Sequence, residues 1–173
     1  KNNYIWKGIV SQSKTIYNER LKILLVSDTH GRNELLPELV TQYPNMDYYL
    51  HLGDSQSDPY SLYPFDSVKG NCDYYPFDEL VRIYTPMGYL LIRHKPWFTA
   101  EQIKDNKFLV HGHTHQYLIY VEEDKVFLNP GSLTLPRDGT NGTFMIMNIE
   151  KDSATIIIYD IETKSVLNKK QIV

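Results

Sequence analysis

Apolar residues in this chain fall into short runs that stop abruptly at polar clusters. LKILLVSD (21–28) is a continuous apolar stretch ending in Ser-Asp, the pattern of a buried strand running into a loop. HGRNELLPELVTQYP (30–44) places Leu35, Leu36, Leu39, Val40 and Tyr43 at helical spacing, with Pro44 closing the segment. MDYYLHLGD (46–54) predicts a second short strand ending in Gly-Asp, and FDSVKGNCD (65–73) a third junction of the same kind. From residue 79 the pattern turns antiparallel. ELVRIYTPMGYLLIRH (79–94) predicts a hairpin turning at 85–88, YLIYVEEDKVFLNPGS (117–132) a second turning near Glu123-Asp124, and 143–160 a third around Lys151-Asp152. Thr99 is placed to cap a short helix over 100–105, and FLVHGHTH (108–115) is another strand that ends in polar residues. One βαβ unit followed by a strand-rich C-terminal half makes an α/β chain. It reads as one domain over 1–173, and no period in residues 1–20 assigns that segment a role.

Composition narrows the classes. With 42% hydrophobic and 23% charged residues, the 173-residue chain is long enough to bury a core. Its net charge of −3 and lack of a basic run beyond Lys169-Lys170 argue against nucleic-acid binding through bulk charge. No apolar run approaches the roughly 20 residues of a membrane helix. Cys72 is the one cysteine, so no intrachain disulfide forms, and the expectation is a reducing, cytoplasmic setting.

The junctions carry the chemistry. Asp28 and His30 in SDTHG, Asp54 in LGD, Asn71 in KGN, His94 after YLLIR, and His113 and His115 in GHTH each follow an apolar run. Ligands gather at strand ends in α/β proteins. In extended backbone, alternate residues share a face, so Asp-x-His and His-x-His would each aim two side chains at one locus. Mixed carboxylate and imidazole donors suit Mn²⁺, Fe, Zn²⁺ or Ni²⁺ rather than Ca²⁺. Seven donors exceed one tetrahedral ion but serve two ions that share a carboxylate, the usual device for phosphoester hydrolysis. Of the other two histidines, His51 reads as a structural strand residue and His111 as a supporter of ligands. Asn129-Pro130-Gly131-Ser132 reads either as part of a phosphate pocket or as a plain turn.

The order D-x-H, G-D, G-N-x-D, H, G-H-x-H resembles that of the calcineurin-like metallophosphoesterases over about residues 21–150. SDTHG, LGD, VKGNCD, GHTH and NPGSLTLPR are similar to the small bacterial YfcE-like phosphodiesterase branch. That resemblance implies two facing mixed β-sheets flanked by helices in a four-layer sandwich. It implies one metal on Asp28, His30 and His115, a second on Asn71, His94 and His113, and Asp54 shared by both. It further implies a metal-bridging hydroxide as nucleophile and catalytic parts for Asn71, Asp54 and His94. The metals would be two divalent ions, Mn²⁺ in the first place and Fe, Ni or Zn otherwise, acting on a small-molecule or nucleotide-like phosphodiester. Two positions depart from the wider pattern. Cys72 stands where many members have histidine, so the group that would protonate a poor leaving group is missing. Arg93-His94-Lys95-Pro96 replaces the usual Thr-His-Gly-His, which leaves Lys95 or Arg93 to contact phosphate. The alternatives are a phosphomonoesterase and an inactive scaffold like the retromer-type relative. Exposed strand edges would also permit a homodimer.

Overall fold

The structure is a computed structural model that describes residues 5–6 and 19–173. Most of the unassigned segment 1–20 therefore lies outside the described residues. In chain order the elements are β1 (Ile5–Trp6), β2 (Arg20–Val26), α1 (Leu35–Gln42), β3 (Tyr48–His51), α2 (Pro59–Leu62), β4 (Asp66–Ser67), β5 (Val81–Thr85) and β6 (Gly88–Ile92). They continue with α3 (Ala100–Asp105), β7 (Phe108–Val110), β8 (Tyr117–Glu122), β9 (Lys125–Pro130), β10 (Thr143–Glu150), β11 (Ala154–Asp160) and β12 (Val166–Ile172).

Among the described residues these strands form two mixed sheets, ordered β1-β5-β6-β7-β9-β8 and β12-β11-β10-β2-β3-β4. Strands β2, β3 and β4 run parallel, as do β6, β7 and β9, while the hairpins β5–β6, β8–β9 and β10–β11 are antiparallel. The fold is the expected one of facing mixed sheets, with strands dominating.

The continuous apolar run of β2 has a simple cause: the strand is covered on both faces. Ile23 and Leu25 point between the sheets, joined by Met145 and Met147 of β10 and by Leu90, Ile92, Phe108 and Val110 of the facing sheet. Leu24 and Val26 point the other way, against Leu36 and Leu39 of α1, Leu62 of α2 and Phe144. On the far sheet, α3 is the thin part of the sandwich, with no buried side chain of its own. It is held by its ends: Thr99 and Gln102 complete a capping box, and Arg82 Nε donates to Asn106 Oδ1 at 2.9 Å.

Three local differences from the sequence reading have identifiable origins. Helix α1 begins at Leu35 rather than near residue 30, because residues 28–31 are held in a loop by main-chain bonds to Gly53, Asp54 and Ser55. Helix α2 is a single turn, capped by the Asp58 side chain and started by Pro59, too short to give a period. Strand β12 carries one buried residue, Ile172, so its sequence shows no alternation. It forms through backbone pairing with β11 alone.

Candidate metal centre

All seven predicted donors lie just beyond the carboxyl ends of β2, β3, β4, β6 and β7, on loops that bond to one another through main chain. Asp28 N donates to Gly53 O at 3.1 Å, His30 N to Asp54 O at 2.9 Å and Gly112 N to His94 O at 2.9 Å. These bonds bring segments from both sheets to one edge. Alternation along extended backbone, expected for Asp-x-His and His-x-His, is not what brings them together. The side chains converge because the backbone leaves the extended region, not because it continues in it. Asp28, His30, Asp54, His113 and His115 have φ of 52°, 45°, 59°, 69° and 59°, all left-handed. Such conformations cost on the order of 1 kcal/mol each for a non-glycine residue, and Asp and His tolerate them better than most. Their clustering at one spot is the pattern of a functional site.

The donors meet at short range. His30 Nε2 and His115 Nε2 are 3.3 Å apart, and His113 Nδ1 and His94 Nε2 are also 3.3 Å apart. Asn71 Oδ1 lies 3.0 Å from both His94 Nε2 and His113 Nδ1. Between the imidazoles stand two carboxylate oxygens. Asp28 Oδ1 is 3.3 Å from His115 Nε2, 3.8 Å from His30 Nε2 and 3.9 Å from His94 Nε2. Asp54 Oδ2 is 3.2 Å from His94 Nε2 and 3.9 Å from His30 Nε2. The remaining oxygens are held elsewhere: Asp28 Oδ2 accepts from Ser27 Oγ and His113 N, and Asp54 Oδ1 from Cys72 N at 2.7 Å.

Two imidazoles have their ring orientation set from behind. His94 Nδ1 donates to Leu52 O at 2.7 Å and His115 Nδ1 to Leu135 O at 2.6 Å, so in each the Nε2 lone pair faces the centre. Asp28 Oδ1 is buried without a hydrogen-bond partner among the described residues. An orphaned carboxylate oxygen flanked by imidazole nitrogens is costly unless a cation meets it, so the residues present fit a metal. Burial alone would raise the Asp28 carboxyl, but His115, His30 and His94 together hold it well below the usual carboxylate range. Contact with the Asp28 carboxylate raises His30. His94 is raised by Asp54 and Asp28, against a burial effect that opposes it.

The supporting residues divide as follows. His51, wholly buried, is pushed down to about 4 by desolvation. As a neutral ring it accepts from Gly53 N at 3.1 Å and donates to Thr29 Oγ1 at 2.9 Å, bracing two ligand loops as a structural residue. His111 touches no donor directly; its Nδ1 faces Gly112 O at 2.9 Å and Asn129 Nδ2 at 3.3 Å. The Asn129–Ser132 turn also braces the loops. Asn129 Nδ2 donates to Gly112 O and Thr114 Oγ1, and Ser132 Oγ donates to Asp28 O at 2.8 Å.

Asp73 is the residue that motif reading passed over, although it is the last letter of G-N-x-D. Its Oδ2 accepts from Asp54 N at 2.9 Å and Gly70 N at 2.7 Å, and its Oδ1 from Gln56 N at 2.8 Å. It locks the Asp54 loop to the Asn71 loop. Replacing Asp73 by alanine leaves three amides without their acceptor, and is expected to lower unfolding free energy by about 3 kcal/mol. Urea denaturation of the metal-free protein measures this, and an unchanged midpoint would contradict it.

A centre of this kind, at the carboxyl ends of strands from two facing mixed sheets, defines the metallophosphoesterase class. The chain belongs to the calcineurin-like phosphoesterase superfamily, whose domain profile matches residues 21–152. Among curated relatives it is 28% identical over 155 residues to the probable metallophosphoesterase YsnB of Bacillus subtilis, covering 81% of this chain and 91% of that one. Among solved structures it is similar to a predicted phosphoesterase of Streptococcus pneumoniae (TM-score 0.77, 22% identity, 88% of this chain and 97% of that one). It is similar also to the E. coli phosphoesterase Yfce (TM-score 0.71, 21% identity, 87% and 98%). Vps29 of Entamoeba histolytica, in a complex with Zn²⁺, shares the fold at a TM-score of 0.64 (22% identity, 88% and 98%). At these identities the structural likenesses speak for the fold alone.

Proposed function

We propose that this chain is a metal-dependent phosphodiesterase with two divalent ions. Asp28, His30 and His115 hold one ion, Asn71, His94 and His113 the other, and Asp54 is shared. The observation that carries this reading is the pair of inward carboxylate oxygens, one of them orphaned and buried, set among four imidazoles. When bound, such ions make a water nucleophilic near neutral pH and offset the charge that builds on phosphoryl oxygens.

The chain's own residues do the rest. Asp54 and Asp28 supply the negative charge that makes the edge selective for cations. His94 and His115, with their Nδ1 protons tied to main-chain carbonyls, keep their Nε2 lone pairs aimed inward and cannot turn away. Asn71 aims Oδ1 inward and leaves Nδ2, held by a 3.4 Å contact to Cys72 Sγ, as a donor to a phosphoryl oxygen. Cys72 gives no general acid of useful strength: burial and the nearby Asp54 push its thiol up. A leaving group must therefore depart without help, which favours activated phosphodiesters over alkyl monoesters.

The metal follows availability as much as affinity, with Mn²⁺ first and Fe, Ni or Zn as alternatives. The chain's single cysteine suits a cytoplasmic enzyme. The complete donor set favours catalysis over the protein-contact role that the fold alone would equally allow.

The test is hydrolysis of bis(4-nitrophenyl) phosphate and of 4-nitrophenyl phosphate by the Mn²⁺-loaded protein. Turnover of the diester is expected to exceed that of the monoester. Chelation is expected to cost about a hundredfold or more, recovered on adding Mn²⁺ back. A reversed preference would make the protein a phosphomonoesterase. Inactivity on both esters, with metal bound, would leave the scaffold reading.

A further inference from the structure

Beside the Asn71 and His94 end of the centre lies an open cavity of about 400 Å³, lined by Lys69, Arg93 and Lys95 together with Asp73 and Glu79. Among the described residues, the acids form no ion pair with the bases. Both Asp73 oxygens are already taken by main-chain amides of the ligand loops. Glu79 is exposed at the surface. Among the described residues, neither half-buried ammonium has a carboxylate partner; Lys95 Nζ has only the Trp97 ring, its centroid 5.4 Å away. Arg93 is tethered by its guanidinium to Trp97 O, yet its Nε is buried with no hydrogen-bond partner. Two ammoniums without a carboxylate partner and a guanidinium on the wall of one open cavity attract an anion. In the proposed mechanism the ions and Asn71 meet the scissile phosphate, which leaves Lys69, Arg93 and Lys95, on the wall of the same cavity, for a second anion.

We propose that the Lys69–Arg93–Lys95 pocket is an anion subsite for a second phosphate of the substrate. The preferred substrate class is therefore a phosphodiester that carries a further phosphate near the scissile one, rather than a simple dialkyl or diaryl ester. This rests on the diesterase reading of the neighbouring centre and deepens it. The segment Arg93-His94-Lys95 joins the two functions: His94 turns inward to the metal centre, while the residues on either side line the pocket.

Two measurements decide it. In the first, kcat/KM is compared for a thymidine dinucleotide with and without a terminal phosphate at either end. The phosphorylated form is expected to be preferred by about tenfold, a gain typical of one charge-assisted contact. In the double variant Lys69→Gln, Lys95→Gln the ratio is expected to fall to about one. The second is calorimetric binding of propane-1,3-diphosphonate against propylphosphonate to the metal-loaded protein. The diphosphonate should bind about tenfold tighter to the wild type and lose that advantage in the double variant. No preference in either wild-type comparison, or a preference that survives both substitutions, would overturn the subsite. If neither dinucleotide is cleaved, the diesterase reading fails, while the phosphonate titration still decides whether the pocket binds an anion.

Discussion

Asparagine in place of Asp54 is expected to lower turnover of an activated phosphodiester by about a thousandfold while leaving the fold intact. The size of the effect follows from position. Asp54 Oδ2 lies between His94 Nε2 at 3.2 Å and His30 Nε2 at 3.9 Å, so one substitution removes charge from both halves of the proposed centre. The fold is expected to survive because the neighbouring backbone contact can be kept. Asparagine keeps an oxygen that can accept from Cys72 N, as Asp54 Oδ1 does at 2.7 Å. Against burial and the repulsion from Asp28, the His94 contact and Cys72 N hold the Asp54 carboxyl below its usual range, so removing its charge forfeits some stability. Melting of the metal-free variant should therefore fall modestly below the wild type, and the stabilisation gained on adding Mn²⁺ should shrink as well, since it scales with occupancy of the folded state. Paired melting curves with and without Mn²⁺, together with kcat, separate these effects. Full turnover in the variant would end the shared-carboxylate proposal.

How this centre could be read from sequence is instructive. Asp28, His30, Asp54, His94, His113 and His115 stood out because β2, β3, β6 and β7 finish in buried residues just before them, and Asn71, after the two-residue β4, stood out through the G-N-x-D run. The physical cause is the sandwich itself: a strand covered by helices on one side and a sheet on the other has no polar positions, so its first polar residue marks the edge where the chain emerges. That logic picked out residues that the fold brings to one edge, and explained their convergence wrongly. Left-handed φ at five of the donors is invisible in residue identity, since Asp and His occupy ordinary backbone far more often.

The supporting layer was harder to see. Asp73 belongs to the G-N-x-D run, but a carboxylate that accepts three amides looks in sequence like any acidic loop residue. The bracing role of Asn129 and Ser132 depends on long-range partners, Gly112 and Asp28, that no local pattern connects. At the level of fold, α2 and β12 were missed for opposite reasons. One is a single turn defined by its Asp58 cap, and the other an exposed edge strand whose only instruction is a neighbour with free backbone groups. Elements that bury a face write it into the sequence, and elements held by hydrogen bonds alone do not.

Alanine at Gly70 is expected to cost about 3 kcal/mol of stability and roughly 10 °C in melting temperature. Gly70 is not required for a left-handed turn; it is required for space. A methyl group there would overlap Asp54 Oδ1 and the Asp54 main-chain nitrogen. Neither can retreat cheaply. The carboxylate is committed inward and to Cys72 N, and the Asp54 amide is tied to Asp73 Oδ2. Gly53 meets the same crowding from the other side, where a methyl would come within 2.7 Å of His94 Nδ1 and 2.8 Å of Gly70 N. The loops after β3 and β4 thus touch backbone to backbone, and that contact sets the separation between Asp54 and Asn71. Gly139 supplies the control. It has φ of +78° but open space around the added methyl, so alanine there should cost only about 1 kcal/mol of conformational strain and leave turnover unchanged. If Gly70→Ala and Gly139→Ala melt alike, close packing of the two ligand loops is not what holds the centre in shape. If Gly70→Ala melts far lower and also loses metal-induced stabilisation, the same contact both folds the edge and spaces its donors.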